Sequence, residues 1–181
     1  LGTVQDLKAI GNVVRQTDAV FVVDTCQTAG VLPIDMDDWG IDVLVFTGHK
    51  GLFGPMGIGG MIVRDDIRIP PYRVGGTGVD SIQPYQPDEY PFRLEAGTPS
   101  LLGIAGLHAA QQWFAELGRK QLPDSEARDA SHRQLCGIAL AHIAATEADH
   151  VDLLVRAFDK LENVVVYGPR DNRPPAATLS I

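Results

Sequence analysis

The sequence predicts an α/β protein built on a mostly parallel sheet with flanking helices. Three observations predict it. Two short, continuous apolar runs, VFVV at 20–23 and VLVF at 43–46, have the pattern of strands buried on both faces. Helical spacing precedes the first run and returns after residue 100, so helices and strands share one chain order. Both runs end in charge: Asp24 after the first, His49 and Lys50 after the second. In open α/β sheets the ligand lies beyond the carboxyl ends of the strands, so a negative and a positive terminus mark a candidate site between them.

Residues 3–17 place Val4, Leu7, Ile10, Val13 and Val14 at helical spacing, with Thr3 as the expected N-cap and Asp6 at the capping-box position. Residues 19–24 read as the first strand. The stretch 28–41 reads as a loop with one helical turn, and 42–47 as the second strand. A glycine-rich turn at 51–60 leads into a third strand at 59–64, a hairpin partner or neighbour of the second.

Residues 65–99 carry Pro70, Pro71, Pro84, Pro87, Pro91 and Pro99 and read as irregular structure. Tyr72, Tyr85, Tyr90 and Phe92 favour an ordered, packed loop there. Residues 100–118 read as a helix capped by Ser100 and stopped by Gly118, and 125–161 as one long helix. A strand follows at 163–168, and another begins at 177–181. The chain starts at the edge of a helix and stops in mid-strand, so it is expected to be a fragment of a longer protein. On that reading 1–118 belong to a large domain, and 119–181 form a connecting helix and the start of a small α/β C-terminal domain.

Composition narrows the function classes. With 181 residues, 45% hydrophobic and 21% charged, the chain has the profile of a globular protein with one ordinary core. The net charge is −8 and no basic run appears, which argues against nucleic acid. No stretch reaches the roughly 18 apolar residues that span a bilayer, and the first residues lack the basic flank and apolar centre of a targeting segment. Neither a membrane partner nor a leader is expected. Cys26 and Cys136 are far apart and form no C-x-x-C, so a reducing, cytoplasmic compartment is expected. The histidines at 49, 108, 132, 142 and 150 are scattered, and no metal site is expected.

The strand ends carry the chemistry. An aspartate at the end of a buried strand is costly unless it meets a cation. A lysine amine can act as the nucleophile of Schiff-base chemistry. Thr47 and His49 beside Lys50 could bind an anion. An acid for a ring nitrogen, an amine for an aldehyde, and hydroxyl, imidazole and glycine N–H groups for a phosphate together describe a pyridoxal phosphate site. Each element alone has a plainer reading: a turn aspartate, a surface His-Lys pair, a tight glycine turn. The turn is no Walker loop, because G-x-x-x-x-G-K-[ST] does not occur. The joint order of the elements is what points to a site.

VDTCQTAGVLPIDMDDWGIDVLVFTGHKGLFGPMGIGGMIVR, followed by FRLEAGTPSLLGIAGLHAA, resembles the class V aminotransferases among the fold-type I pyridoxal phosphate (PLP) enzymes. The similarity is greatest to cysteine desulfurases and selenocysteine lyases. It covers nearly the whole chain and rests on D-x-x-Q, T-G-H-K and E-x-G-T-P in that order. The resemblance implies a PLP-dependent transferase-like large domain in which Asp24 pairs with the pyridinium nitrogen and Gln27 bonds the phenolic oxygen. Thr47 and His49 would bind the phosphate. Lys50 would form the Schiff base and then move the Cα proton. Thr98 would reach the phosphate of a neighbouring subunit's cofactor, with Gly76 and Thr77 at the same interface, in a homodimer with shared sites. L-cysteine is the implied substrate, alanine and an enzyme persulfide the products, and a sulfur-acceptor protein a further partner.

Cys26 is tempting as the sulfur-accepting thiol, but it stands where the family has a small residue and reads as a small packed side chain. Cys136 reads as core, His108 and His142 as structural, and Arg93 as a contact to substrate or interface. In the family, the group stacked on the cofactor ring, a phosphate-binding Thr and an Asn near the ring lie upstream of position 1. The sulfur-accepting Cys and the Arg for the substrate carboxylate lie downstream of position 181. These 181 residues alone are therefore expected to be inactive. Other readings are an aminotransferase or lyase acting on another amino acid, or a non-catalytic scaffold with this fold. Keeping both Asp24 and Lys50 argues against the scaffold. A plain nucleotide-binding domain would need a G-x-G-x-x-G after a strand or a Walker loop.

Overall fold

A computed structural model describes residues 2–76, 78, 82–168 and 178–181. The elements in chain order are α1 (Leu7–Val14), β1 (Val22–Asp24), α2 (Met36–Trp39), β2 (Val43–Thr47), β3 (Gly59–Val63), α3 (Leu101–Arg119), α4 (Asp124–Asp129) and α5 (His132–Phe158). The sheet order is β1-β2-β3, with β1 parallel to β2 and β2 antiparallel to β3. The α/β class stands, and the third strand is the hairpin neighbour of the second, so the described sheet is mixed, with one parallel and one antiparallel pairing, where the sequence predicts a mostly parallel one. Val22 faces Val43, and Asp24 faces Val45, so the carboxyl ends of β1 and β2 lie side by side.

Local chemistry explains where elements begin and end. The first helix starts at Leu7 rather than Thr3, because Asp6 is the N-cap and its Oδ1 accepts from the Ala9 N–H at 2.9 Å. An aspartate caps as well as a threonine, and the three-residue spacing suits this one. β1 is shorter than the apolar run. The Asp42 carboxylate takes the Phe21 N–H at 2.7 Å, and pairing with β2 is regular only from Val22. The expected helix at 125–161 is two helices, broken at Ala130. Ser131 and Gln134 form a capping box that starts α5 afresh.

Gly118 does not stop α3, which runs to Arg119. It is instead a contact point: a Cβ at Gly118 would lie 1.9 Å from the Leu135 carbonyl oxygen, so α3 and α5 meet there backbone to backbone. In place of the strand expected at 163–168 there is a single antiparallel bridge, Tyr167 to Ser180. Of the stretch expected to begin a further strand, residue 177 lies outside the described residues.

Two apolar clusters result. Val23, Ile41 and Leu44 are buried beneath α1 and α2, with Leu7, Phe21, Ile34, Met36, Trp39 and Phe46 packed around them. Phe114 and Leu135, each 2% exposed, anchor the second cluster on α3 and α5. No helix among the described residues is long and apolar enough to cross a membrane.

The loop at 65–99 is held by polar bonds. Gln86 accepts from the Gly75 N–H at 3.2 Å and donates to the Phe92 and Glu95 carbonyls at 2.6 and 3.2 Å. Tyr90 Oη takes the Ile69 N–H at 2.8 Å. Arg93, expected to meet substrate or a partner, is 8% exposed and serves the loop itself. Its Nε donates to the Ile69 carbonyl and its Nη1 to Asp88, both at 2.6 Å. Arg93, and then Arg68, hold the Asp88 carboxyl below its ordinary range.

Two stability outcomes follow from this packing. Gly118→Ala must force α3 and α5 apart and is expected to cost about 1–3 kcal/mol, read as a lower denaturant midpoint. Arg93→Leu leaves the Ile69 carbonyl without its donor and is expected to cost roughly 1–3 kcal/mol in the same measurement. An unchanged midpoint in either variant would contradict the packing described.

Candidate active site

The site is built by the parallel register. Beyond Asp24 the chain is tied back to β2 at once: the Thr25 N–H and Oγ1–H both donate to the Val45 carbonyl at 2.8 Å. Thr25 is 1% exposed, and this double bond fixes the exit from β1. A turn follows, in which the Thr28 and Ala29 N–H groups donate to the Thr25 carbonyl. Gly30 then sits at φ +82°, where a Cβ would meet the Gly51 carbonyl oxygen at 2.1 Å. In the other direction, a Cβ on Gly51 would meet the Ala29 carbonyl oxygen at 2.5 Å. The loop bearing Asp24 and Gln27 and the loop bearing His49 and Lys50 are therefore in backbone contact.

The second loop is closed on itself. The Gly48 N–H donates to the Ile58 carbonyl at 2.8 Å, the Gly54 N–H to the Gly48 carbonyl at 2.7 Å, and the Phe53 N–H to the Lys50 carbonyl at 2.9 Å. His49 and Lys50 stand exposed at its tip, and Thr47 Oγ lies 2.8 Å from His49 Nδ1. When Thr47 donates in that bond, the imidazole carries its own N–H on the opposite edge of the ring.

Asp24 is exposed, against the expectation of a buried carboxylate. Asp24 shares a face of β1 with Val22, itself 56% exposed, while Val23 on the other face is 7% exposed. Its Oδ1 accepts from the Cys26 N–H at 2.8 Å. Bonds from the Cys26 thiol and N–H hold the Asp24 carboxyl below its ordinary range, and the positive charge of Lys50 adds to the effect. The same thiol bond, followed by desolvation, pushes Cys26 up. Cys26 is kept protonated, which suits a packed thiol and not a nucleophile. Asp24 also lines a cavity of ≈ 500 Å³ with Val23, Leu32 and the chain segment before α1.

Of the residues expected from sequence, Asp24, Gln27, Thr47, His49 and Lys50 thus lie on two touching loops at one end of the sheet. In the long loop Gly76 is bonded to Gly97, the neighbour of Thr98. The Gly76 carbonyl accepts from the Gly97 N–H, Thr98 is exposed, and open space surrounds Gly76 where a side chain would stand. Thr77 lies outside the described residues. Cys136 is half-buried on α5 with its thiol pushed up by burial, and His108 pairs with Gln112 on the surface of α3. No group of three or more metal-binding side chains occurs among the described residues. Sequence reasoning missed Thr25 and Phe53. Thr25 carried a signal, a hydroxyl directly after an apolar run. Phe53 carried none beyond its place among glycines.

The two loops offer an acceptor held ionised, an amine, and a hydroxyl–imidazole pair. That donor set suits a ligand with a basic ring nitrogen, a carbonyl carbon and an anionic group.

Comparison with known proteins agrees. The Aminotransferase class-V family matches residues 1–181. A probable cysteine desulfurase of Pyrococcus abyssi is 35% identical over 130 residues, covering 70% of this chain and 32% of that protein. A cysteine desulfurase of Yersinia pseudotuberculosis is 31% identical over 94% of this chain and 38% of its own length. The solved apo structure of the cysteine desulfurase of Thermococcus onnurineus superposes with a TM-score of 0.78 at 30% identity, over 99% of this chain and 40% of that one. The chain thus spans between three and four tenths of these relatives. With the family matched from end to end, and the sheet-end loops in place, the chain belongs to the class V aminotransferases.

Proposed function

We propose that the chain carries the lysine-bearing core of a PLP-dependent enzyme that removes sulfur from L-cysteine, leaving alanine and an enzyme persulfide. The observation that carries this reading is the contact between the Asp24 and Lys50 loops, close enough for the lysine's charge to act on the carboxylate. The names of the relatives support cysteine as substrate.

Bound PLP supplies a ring that accepts an electron pair from the substrate. Asp24, already ionised, is suited to hold a proton on the ring nitrogen. Gln27, exposed on the same turn, can donate to the ring oxygen. Thr47 and His49 would both serve the phosphate, His49 through the N–H of Nε2 and Thr47 by turning its hydroxyl from His49 Nδ1 toward it. Lys50 would hold the cofactor through its amine and would move a proton at the substrate Cα.

The open space at Gly76 and the exposure of Thr98 support a homodimer in which each subunit completes its neighbour's phosphate site. The persulfide would pass to an acceptor protein. Both cysteines are free thiols, which supports a reducing compartment such as the cytoplasm.

Two outcomes test the assignment. Borohydride treatment of the full-length protein with PLP is expected to leave a stable mass increment on the Lys50 peptide, and Lys50→Ala to abolish it. An increment elsewhere, or none, would sink the cofactor reading. Asp24→Ala is expected to lower turnover by at least tenfold more than Gln27→Ala, because only Asp24 can keep the ring nitrogen protonated. Similar turnover in the two variants would count against its role.

A further inference from the structure

We infer that Phe53 is the positioning residue for Lys50, and that its ring, seated on α3, sets where the lysine amine stands. The inference rests on the proposed role of Lys50 and adds a residue to it. Phe53 is the one non-glycine residue with a left-handed backbone among the described residues, at φ +55°. An L-residue with a bulky side chain avoids this region, and such outliers persist only where the surroundings fix them.

The loop has glycines at 48, 51, 54 and 57, each able to adopt that conformation freely. A phenylalanine at the strained position brings a ring that a glycine would not. That ring lies 5.3 Å from Trp113 and 5.7 Å from Phe114, tilted by 57° to both. Phe114 is 2% exposed while Phe53 is 57% and Trp113 44% exposed, so the Phe53 ring rests on α3 by one face. Pairs in this geometry add stabilisation beyond area burial.

The seat is joined to the lysine by a short path. The Phe53 N–H donates to the Lys50 carbonyl, and the Gly54 N–H to the Gly48 carbonyl. The Gly54 N–H follows Phe53, so the left-handed backbone at Phe53 aims it at the Gly48 carbonyl and closes the turn that projects Lys50. On its far side the turn meets Gly30 of the Asp24 loop. Lys50 is gripped from α3 through an aromatic contact and from β1 through a backbone contact. Phe53 acts through the turn, so its role is placement.

The variants Phe53→Tyr, Phe53→Asn and Trp113→Leu separate the ring from the backbone. Tyrosine keeps the ring. Asparagine tolerates the left-handed region without a ring. Leucine at 113 removes part of the seat and leaves the loop untouched. Two quantities would be read on the full-length protein. One is the rate of borohydride-fixed PLP attachment to the Lys50 peptide. The other is acetylation of Lys50 by an N-hydroxysuccinimide ester without cofactor, relative to Lys8, Lys120 and Lys160 in the same digest.

Phe53→Tyr is expected within about twofold of wild type in both. Phe53→Asn is expected to slow attachment roughly tenfold or more and to change the relative acetylation of Lys50 at least threefold, since small misplacements of a reacting group have effects of this size. Trp113→Leu is expected to fall between. General loosening would change all four lysines together and would overturn the inference, as would wild-type behaviour in Phe53→Asn. If Phe53→Asn does not fold, Trp113→Leu decides: a Lys50-specific change supports the inference, and none overturns it. Absence of any wild-type adduct would defeat the cofactor reading alone, because the acetylation ratios still decide the role of Phe53.

Discussion

The arrangement depends on one contact, the backbone approach of Gly30 to Gly51. Two parallel strands in register bring their carboxyl ends to the same height, but register alone does not make two outgoing loops touch. The touch needs an absent Cβ on both sides, and a left-handed turn at Gly30 to deliver the chain there. Everything chemical is arranged around this point: Asp24 and Gln27 lead into it from one side, His49 and Lys50 from the other. A methyl group at either glycine would drive the acid and the amine apart before it changed any group that meets a ligand.

The rest of the scaffold steadies that contact from two directions. Thr25 locks the first loop to β2 by donating twice to one carbonyl. The second loop rests on α3 through Phe53 and Trp113, and α3 is fixed against α5 where Gly118 lets the helices close. The long loop is independent of this chain of support. Its order comes from Gln86, Tyr90 and Arg93, three polar side chains that take up backbone groups which a strand or helix would otherwise have paired.

Much of this could be read in the residues. The apolar runs located β1 and β2, the charged ends marked the two loops that touch, and Ser100 located the start of α3. What escaped was decided by competition between nearby groups or by contacts distant in sequence. Asp6 outcompeted Thr3 as a cap because a carboxylate and a hydroxyl do the same work at helix starts. Ser131 cut a continuous helical pattern that periodicity alone could not divide, although its capping box with Gln134 was present in the sequence. Gly118 resembled a helix terminator and proved to be a contact, a difference set by Leu135, seventeen positions away. Arg93 looked available because arginine usually is, and burial came from a loop whose path no local pattern encodes. Asp24 lies on the exposed face of β1 with Val22, and a run of apolar residues does not reveal which face of a strand is covered.

The two tryptophans divide the molecule between them. Trp39 packs in the cluster beneath α1 and α2, and Trp113 lies against Phe53 on α3. Indole emission shifts with the polarity around the ring, so each residue is an optical reporter of a different half. The signal from Trp39 follows the sheet and its first helices. The signal from Trp113 follows the lysine turn, because its ring lies 5.3 Å from that of Phe53.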